Sequence, residues 1–390
     1  MCSSLHLYES PHRVTAIALP VPPQQIVAGW GALRSAMYKS VPAEFSRDEW
    51  AYLMAFLDPE NLSAPLLEAF GHPVDEGRAS RLVRPRGVVA VWLPNNVTLL
   101  GPLTLILLTL TGNRLLLKGG SRSQDLTGAF LAFARQLAGG PLREYLHQQV
   151  CLEVFAHGDD RERRMIERAD VRIVFGSEAA AAAIHGAAPP LRGAGFSFID
   201  RQSQAWIEAG ADSDDVLSNL IRVFAIYGQT GCTSPRRVVL LNGTRAKAEA
   251  MRSRMLELWP RVLRSRPPVH VASANTMASQ WAAACGWDVA MAPDRHAVIG
   301  VGDLTLEAID APMFLAACPA TVEEAVTSLP SNIQTIGHAF REPADPLWLR
   351  VAAGTTIKRM VPIARMHHFG PFWDGQDFWR QCFEEVEVQL

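Results

Sequence analysis

The chain has 390 residues, of which 48% are hydrophobic and 19% are charged, and its formal net charge is −2. This composition excludes a disordered chain, and the near-neutral charge gives no electrostatic basis for binding nucleic acid or an anionic membrane surface. A chain of this length is expected to form two or three packed units rather than one core.

Cysteine usage and the amino-terminal sequence bear on the cellular compartment. Six cysteines are scattered without a C-x-x-C pair, which argues against a disulfide framework or a metal site and favours a reducing cytoplasm. The opening sequence MCSSLHLYESPHR lacks a basic start followed by an apolar core, so no secretory signal is expected.

The apolar stretch 99–117 approaches the length of a membrane span. Gly101, Pro102 and the sequence Gly-Asn-Arg at 112–114 interrupt it, and Lys118 follows at once. We therefore expect a buried helix, a turn and a buried strand, with no membrane span.

In chain order, the first 80 residues are expected to form a helical segment, because 46–71 carries apolar residues at helical spacing. Short β-branched runs then alternate with Ala- and Leu-rich stretches. Strands are predicted at 86–94, 113–120, 150–156 and 170–177, with helices at 126–139, 161–169 and from 178. Apolar strands alternating with helices indicate a parallel sheet covered on both faces.

Three of these strands end in small or polar residues, in the sequences PNN, KGGS and FGS. Such strand ends suit a dinucleotide, because backbone can approach phosphate closely and the next helix offers its amino-terminal N–H groups. Ordinary strand-to-helix turns use the same residues, and no G-x-G-x-x-G follows a strand.

The sequence YGQTGCTSPRR, at 227–237, places one cysteine among small and polar residues just before the apolar run VVLL. An isolated cysteine is more often buried and inert than reactive. A polar turn in place of a continuing helix or strand favours an accessible nucleophile at Cys232.

Taken in order, these segments resemble the aldehyde dehydrogenase superfamily and, more closely, its acyl-CoA reductase branch, typified by the fatty-acyl reductase of bacterial bioluminescence (the LuxC family). VWLPNN, GNRLLLK, VFGS and GQTGC are similar to superfamily motifs, although GQTGC has one extra residue before the cysteine. CTSP, NIQTIG at 332–337 and KRMVPIARMHHFGPFWDG at 358–375 are similar to the narrower family, and the resemblance spans roughly 50–380.

The resemblance implies an α/β, aldehyde dehydrogenase-like fold with a Rossmann-like cofactor domain and a smaller α/β catalytic domain. The expected organisation is a helical segment at 1–80 that packs on the cofactor domain, a dinucleotide-binding domain at 81–200, a catalytic domain at 201–345 and a carboxyl-terminal segment at 346–390.

Carried over residue by residue, the resemblance implies that Cys232 is the nucleophile and that the amide of Asn96 donates a hydrogen bond to the oxyanion. Asn96 has a second interpretation, as the cap of a helix beginning at Val97.

The resemblance also implies a set of cofactor contacts. Lys118 would contact the cofactor ribose or phosphate, Gly176 and Ser177 would lie beside the pyrophosphate, and Glu307 is within one position of a glutamate that binds the nicotinamide ribose. Lys118 has the alternative of being an ordinary surface lysine at a strand end.

Two departures from the wider superfamily refine the expected reaction. Oxidising members carry a glutamate that activates water, whereas Phe198 occupies the approximate equivalent position here and no glutamate follows until Glu208. After Lys118, where NAD-preferring members often have an acidic residue, this chain has Ser121 followed by Arg122. A serine removes repulsion against a 2′-phosphate and an arginine can pair with it, so NADPH is expected, with NADH as the alternative.

The expected function is therefore NADPH-dependent reduction of an acyl thioester, carried by CoA or another carrier, to an aldehyde through an acyl-cysteine. The alternatives are an NAD(P)-dependent aldehyde dehydrogenase working in the oxidative direction, or a reductase subunit fed by an acyl-transferring synthetase. The acyl chain stays open, and a homodimer is expected by analogy alone. Arg236, Arg237, His367 and His368 are candidates for lowering the pKa of the thiol.

Overall fold

The computed structural model describes residues 5–11, 13–75, 77–94, 96–120, 126–188, 193–264 and 266–389. The chain divides into two compact units. The first unit comprises Met1–Ile199 and Phe369–Leu390, and the second comprises Asp200–His368.

The α-helices of the described residues are α1 (Pro23–Met37), α2 (Arg47–Phe56), α3 (Pro59–Phe70), α4 (Leu100–Thr109), α5 (Leu126–Leu137), α6 (Gly140–Gln148), α7 (Asp160–Arg168), α8 (Glu178–Gly186), α9 (Asp214–Ala225), α10 (Arg245–Val262), α11 (Val269–Ala284), α12 (Val322–Thr327) and α13 (Pro346–Ala353).

The strands are β1 (Leu5–Ser10), β2 (Arg13–Ala18), β3 (His72–Val74), β4 (Arg81–Pro85), β5 (Val88–Trp92), β6 (Arg114–Lys118), β7 (Val150–Glu153), β8 (Val171–Gly176), β9 (Ala194–Ile199), β10 (Gln202–Glu208), β11 (Pro235–Leu241), β12 (Asp288–Met291), β13 (Val298–Val301), β14 (Phe314–Ala320), β15 (Ile333–Ala339), β16 (Arg359–Pro362), β17 (Phe372–Trp373), β18 (Gln376–Asp377) and β19 (Phe383–Glu387).

An all-parallel sheet with the strand order β7-β6-β5-β8-β9 forms the centre of the first unit. Its strands are apolar through most of their length because helices cover the sheet, as parallel sheets require. The strands and helices expected between 86 and 186 are all present, and the α/β fold class is confirmed.

Helix α4 is the apolar segment that approaches the length of a membrane span. All ten of its residues are buried. The indole N–H of Trp30 donates to Thr109 Oγ1 at 2.9 Å, and that of Trp379 donates to the Leu107 carbonyl at 2.9 Å. A helix that is apolar on every side has to be enclosed by protein, and α1 and the carboxyl-terminal residues enclose it. The expected helix, turn and strand are confirmed, and no helix among the described residues is long and apolar enough to cross a membrane.

The amino-terminal region differs from the helical expectation for residues 1–80. Helices α1, α2 and α3 are present, but β1 and β2 precede them in a terminal sheet with the order β19-β4-β2-β1-β3. Strand β19 pairs with β4, with Phe383 opposite Pro85. These partners are distant in sequence, so the local pattern that predicted helix carried no information about them.

Residues 346–390 also divide differently from the expected single segment. Helix α13 and β16 belong to the second unit, where β16 pairs with β15, whereas 369–390 belongs to the first unit. The second unit is built on a seven-stranded sheet with the order β12-β13-β14-β11-β10-β15-β16, in which only β12 and β13 pair antiparallel. Apolar residues of β10 and β11 alternate between the two faces, so the sheet has a core on each side.

A buried asparagine links the carboxyl-terminal residues to the all-parallel sheet. The Asn113 side chain accepts from the Gly87 N–H at 2.8 Å and donates to the Cys382 carbonyl at 2.8 Å. Asn113 is fully buried. It is the asparagine of the GNRLLLK motif, and its contacts here are structural.

We expect Asn113→Ala to lower the free energy of unfolding by about 1–3 kcal/mol, because the part-buried Gly87 N–H loses its acceptor, whereas the Cys382 carbonyl keeps its hydrogen bond from the Arg86 N–H. Chemical denaturation followed by circular dichroism measures the change. The control is Asn61→Ala, which removes one exposed hydrogen bond to the Ala55 carbonyl. Equal stability of the two variants would contradict the structural role of Asn113.

Candidate active site

Cys232 lies in a tight turn at the amino-terminal edge of the seven-stranded sheet, three residues before β11 begins. The Ser234 N–H donates to the Gly231 carbonyl at 3.0 Å and closes the turn. The cysteine is a free thiol and is half-buried, so the sulfur is neither sealed in the core nor fully in solvent.

The side chain of Gln229 holds this turn against the neighbouring strand. Its Nε2 donates to the carbonyls of Pro235 and Phe314, at 3.1 and 2.8 Å, and its Oε1 accepts from the Phe314 N–H at 3.1 Å. The backbone φ angles of Gly228 and Gln229 are 59° and 62°. A glutamine held at positive φ is strained, and three buried hydrogen bonds compensate for it.

Ser203 holds the cysteine itself. The hydroxyl of this fully buried residue donates to the Cys232 carbonyl at 2.7 Å. Ser203 lies at the start of β10, opposite Pro235 of β11 on one side and Thr335 of β15 on the other. The sheet therefore fixes the main chain that carries the sulfur.

A third support joins the turn to His367. The Thr233 hydroxyl and His367 Nδ1 are 2.6 Å apart, and His367 Nε2 lies 2.7 Å from the Val223 carbonyl in the last turn of α9. A carbonyl can only accept, so Nε2 carries the hydrogen and Nδ1 accepts from Thr233. Burial lowers the pKa of His367 to about 4, which keeps the ring neutral at pH 7.

The burial and hydrogen bonds of His367 bear on which groups can lower the pKa of the Cys232 thiol. A neutral His367 is not a cation that stabilises a thiolate, and burial also lowers the pKa of the neighbouring His368. Arg236 is paired with Asp310 at 3.1 Å, which offsets its charge. His367 is placed to position the turn through Thr233.

An aromatic residue, Phe198, occupies the position at which the superfamily resemblance places a water-activating glutamate. Phe198 lies in β9 and is buried, with its ring stacked on Phe175 at 4.8 Å and edge-on to Phe378 at 5.6 Å. No carboxylate can be supplied by these three side chains.

Glu208, the next glutamate in the sequence, lies at the opposite end of the seven-stranded sheet from Cys232. Its partner across β11 is Leu241, six residues beyond Pro235, which corresponds to about 20 Å along the strand. Its carboxylate accepts from the Arg341 N–H at 2.8 Å. Glu208 is therefore not a base for chemistry at Cys232.

Four predicted site residues lie at the carboxyl-terminal edge of the all-parallel sheet. Lys118 ends β6, Asn96 follows β5, Gly176 ends β8 and Ser177 lies between β8 and α8. Asn96 is exposed, and α4 begins at Leu100 with Leu99 in the capping position, so Asn96 is not the helix cap. The Ser177 hydroxyl caps α8 by accepting from the Ala180 N–H at 3.3 Å.

The remaining predicted residues are placed as follows. Glu307 is exposed in the loop between β13 and β14, where its carbonyl accepts from the Trp287 indole at 3.1 Å. Ser121 and Arg122 lie outside the described residues.

Ser203 and Thr233 were not identified from the sequence, because only the fold brings a strand-end serine and a distant histidine to the cysteine turn. Further buried polar atoms lie in the Cys232 turn and in β15, the strand that pairs with β10. Ser234 Oγ, Gln334 Oε1 and Nε2, and Thr335 Oγ1 have no hydrogen-bond partner in the part of the chain that the structure describes. Gln334 and Thr335 belong to the NIQTIG sequence.

Solved structures with this architecture include several aldehyde dehydrogenases. An NAD-dependent aldehyde dehydrogenase from Sinorhizobium meliloti is 14% identical with a TM-score of 0.67, covering 94% of this chain and 82% of its own. A lactaldehyde dehydrogenase is 12% identical with a TM-score of 0.67, covering 95% and 87%. A betaine aldehyde dehydrogenase from Staphylococcus aureus, in complex with NAD+, is 11% identical with a TM-score of 0.64, covering 94% and 85%. The fold is therefore that of the aldehyde dehydrogenases.

Residues 35–378 match the model of the family described as "Acyl-CoA reductase (LuxC)". The chain belongs to this family, and it is an oxidoreductase of the acyl-CoA reductase type. No curated protein matches the sequence.

We expect Thr233→Val to slow the reaction of Cys232, because it removes the hydrogen bond to His367 without changing side-chain volume. A neutral hydrogen bond contributes about 1 kcal/mol, so a fall of roughly three- to tenfold is expected in the rate of Cys232 alkylation by iodoacetamide. Thr276→Val, which removes a hydrogen bond to Ala272 within α11, is the control. Alkylation at the same rate in both variants would show that the contact does not position the sulfur.

Proposed function

We propose that this protein reduces an acyl thioester, carried by CoA or by another carrier, to an aldehyde with NADPH through a covalent acyl-Cys232 intermediate. The observation that carries the proposal is the half-buried Cys232 thiol in a turn held by Gln229, Ser203 and His367. A nucleophile held by buried hydrogen bonds loses little entropy on reaching the reactive geometry.

The chemistry follows from the thiol. The Cys232 thiolate attacks the acyl carbonyl, and the carrier thiolate leaves as the bond from carbonyl carbon to carrier sulfur breaks. This exchange replaces one thioester by another and is nearly neutral in free energy. NADPH, held by the residues named below, would supply a hydride to the acyl carbon. The tetrahedral alkoxide so formed would reform the carbonyl as its carbon–sulfur bond breaks, releasing the aldehyde and restoring the Cys232 thiolate.

Phe198 supports reduction over oxidative release of an acid. Oxidation to a free acid needs a base that activates water, and the aromatic cluster of Phe175, Phe198 and Phe378 contains none. Glu208 is bound to the Arg341 N–H at the far end of its strand. An acyl-Cys232 without such a base hydrolyses slowly and persists until it meets a hydride or a thiol.

The first unit fits a dinucleotide at the carboxyl-terminal edge of its parallel sheet. Gly176 leaves open space, since a Cβ there would meet only Ala180 Cβ, at 3.9 Å. The amino terminus of α8 offers N–H groups to phosphate. On β5, beside Lys118, the buried Trp92 indole N–H finds no partner within the described residues. We propose that Lys118, Gly176 and Ser177 hold the cofactor, with Ser121 and Arg122 selecting NADPH and Glu307 contacting the nicotinamide ribose.

The remaining parts of the proposal rest on the resemblance. An acyl-transferring synthetase partner and a homodimer are compatible with this reaction, as is a cytoplasmic location. Asn96 belongs to the first unit and Cys232 to the second, so the oxyanion role of Asn96 comes from its match to the superfamily turn.

Cys232→Ser is expected to abolish both acyl transfer and aldehyde formation. Wild-type protein incubated with a panel of acyl-CoAs, without NADPH, should gain the mass of one acyl group on Cys232, measured by intact-mass and peptide mass spectrometry. Cys285→Ser, which changes another half-buried thiol, is the matched control. Acylation that persists in Cys232→Ser, or that maps to Cys285, would refute the proposal.

Asn96→Ala is expected to lower turnover by roughly a hundredfold or more, because loss of one oxyanion donor typically costs about 2.7–4 kcal/mol of barrier. The fall should appear in kcat for aldehyde formation, with acyl-CoA binding little changed. Asn219→Ala, which removes a hydrogen bond to Arg222 on α9, is the control. A variant within twofold of the wild type would remove Asn96 from the mechanism.

A further inference from the structure

A cavity of about 270 Å³ opens in the first unit between α7 and the edge of the all-parallel sheet. Four arginines line it, Arg114 from β6 and Arg161, Arg164 and Arg168 from α7, together with a single carboxylate, that of Glu153. We call this cavity the arginine trough. The whole chain has a net charge of −2, so such a concentration of positive charge is local.

The geometry of the trough follows from two periodicities. Arg114 and Leu116 are two apart on β6 and share a face of the sheet, and Leu116 is opposite Cys151 on the edge strand β7. Arg161, Arg164 and Arg168 are three and four apart, so they lie on one face of α7. The span from Arg161 to Arg168 is about 10 Å along the helix axis.

Three of the four trough arginines have no ion-pair partner within 4 Å among the described residues. Arg161 is held by Asp159, at 2.8 Å. Arg163, which does not line the trough, pairs with Asp160 and Glu167. Arg114, Arg164 and Arg168, in contrast, form no ion pair with any described carboxylate. Three unpaired guanidinium groups at one cavity repel each other, and an anion would relieve that repulsion.

The base of the trough is apolar and lies close to the expected cofactor site. Leu116, Phe155 and Met165 line it, and all three are buried. The Lys118 ammonium stands 5.7 Å from the centre of the Phe155 ring, and the Arg161 guanidinium stands 5.1 Å from it. Phe155 thus connects the trough with Lys118. A ring or short chain can cover the apolar base while an attached anion meets the arginines.

We propose that the arginine trough binds the phosphorylated adenosine end of a nucleotide, with a phosphomonoester paired to Arg114, Arg164 and Arg168. The volume is just below the range of sites that enclose a whole drug-sized ligand, so it suits one end of a larger molecule. An arginine guanidinium group can donate two parallel hydrogen bonds to two oxygens of a phosphate, which provides both charge complementarity and a defined orientation. This inference rests on the proposed function, whose two nucleotide co-substrates each carry a phosphomonoester on an adenosine ribose: the 2′-phosphate of NADPH and the 3′-phosphate of CoA.

The test is calorimetric binding of 2′,5′-ADP, 3′,5′-ADP and 5′-AMP to the full chain. Arg164→Gln and Arg168→Gln, singly and together, remove charge from exposed, unpaired side chains. Arg163→Gln is the matched control, since it removes the same charge from the same helix outside the trough. We expect the double variant to weaken binding of at least one bisphosphate about tenfold or more, with Arg163→Gln within twofold of the wild type and 5′-AMP little affected.

The two sources of phosphate give different results. A loss confined to 2′,5′-ADP assigns the trough to NADPH, a loss confined to 3′,5′-ADP assigns it to CoA, and a loss of both shows that the two nucleotides share it. The proposal is overturned if neither bisphosphate binds more tightly than 5′-AMP, or if Arg163→Gln weakens binding as much as the trough variants do. These measurements need no turnover, so they can succeed in Cys232→Ser protein even if acyl transfer to Cys232 is disproved.

Discussion

The hydrogen bond from Ser203 to the Cys232 carbonyl is the contact on which the position of the sulfur depends. It ties Cys232 to a buried strand, and Gln229 and His367 tie the residues on either side. The polar turn would otherwise sample many conformations, because Gly228 and Gly231 flank it. Ser203 and Gln229 are buried in the second unit and His367 is half-buried, so the packing of that unit determines where the sulfur lies.

Aromatic packing and catalytic outcome are linked at Phe198. A residue at this position can either project a carboxylate or extend the cluster formed with Phe175 and Phe378, and this chain does the latter. The buried rings stabilise the first unit. In the proposed reaction, the same substitution would leave a thioester without a water-activating carboxylate from this position.

The sequence predicted most of the all-parallel sheet, because β5, β6 and β8 are largely continuous apolar runs bounded by turn residues. It also predicted the polar turn around Cys232, although most side chains of that turn are buried. It did not predict β1 and β2 of the terminal sheet, in which β2 pairs with β4 and β4 pairs with the distant β19. Nor could it find the contact between Thr233 and His367, since no local pattern relates the two. Cys232 lies at the amino-terminal ends of its strands, so the rule that ligands gather at carboxyl ends would have missed it.

The link between Asn113 and the Cys382 carbonyl has a consequence for the order of folding during synthesis. The first unit contains residues from both sides of the second in sequence, and β4 lacks the partner β19 until 383–387 has left the ribosome. The second unit is one continuous stretch and can fold while the ribosome is still translating. Until the carboxyl-terminal residues are made, α4 is without Trp379, which donates to its Leu107 carbonyl, and part of its apolar surface is exposed.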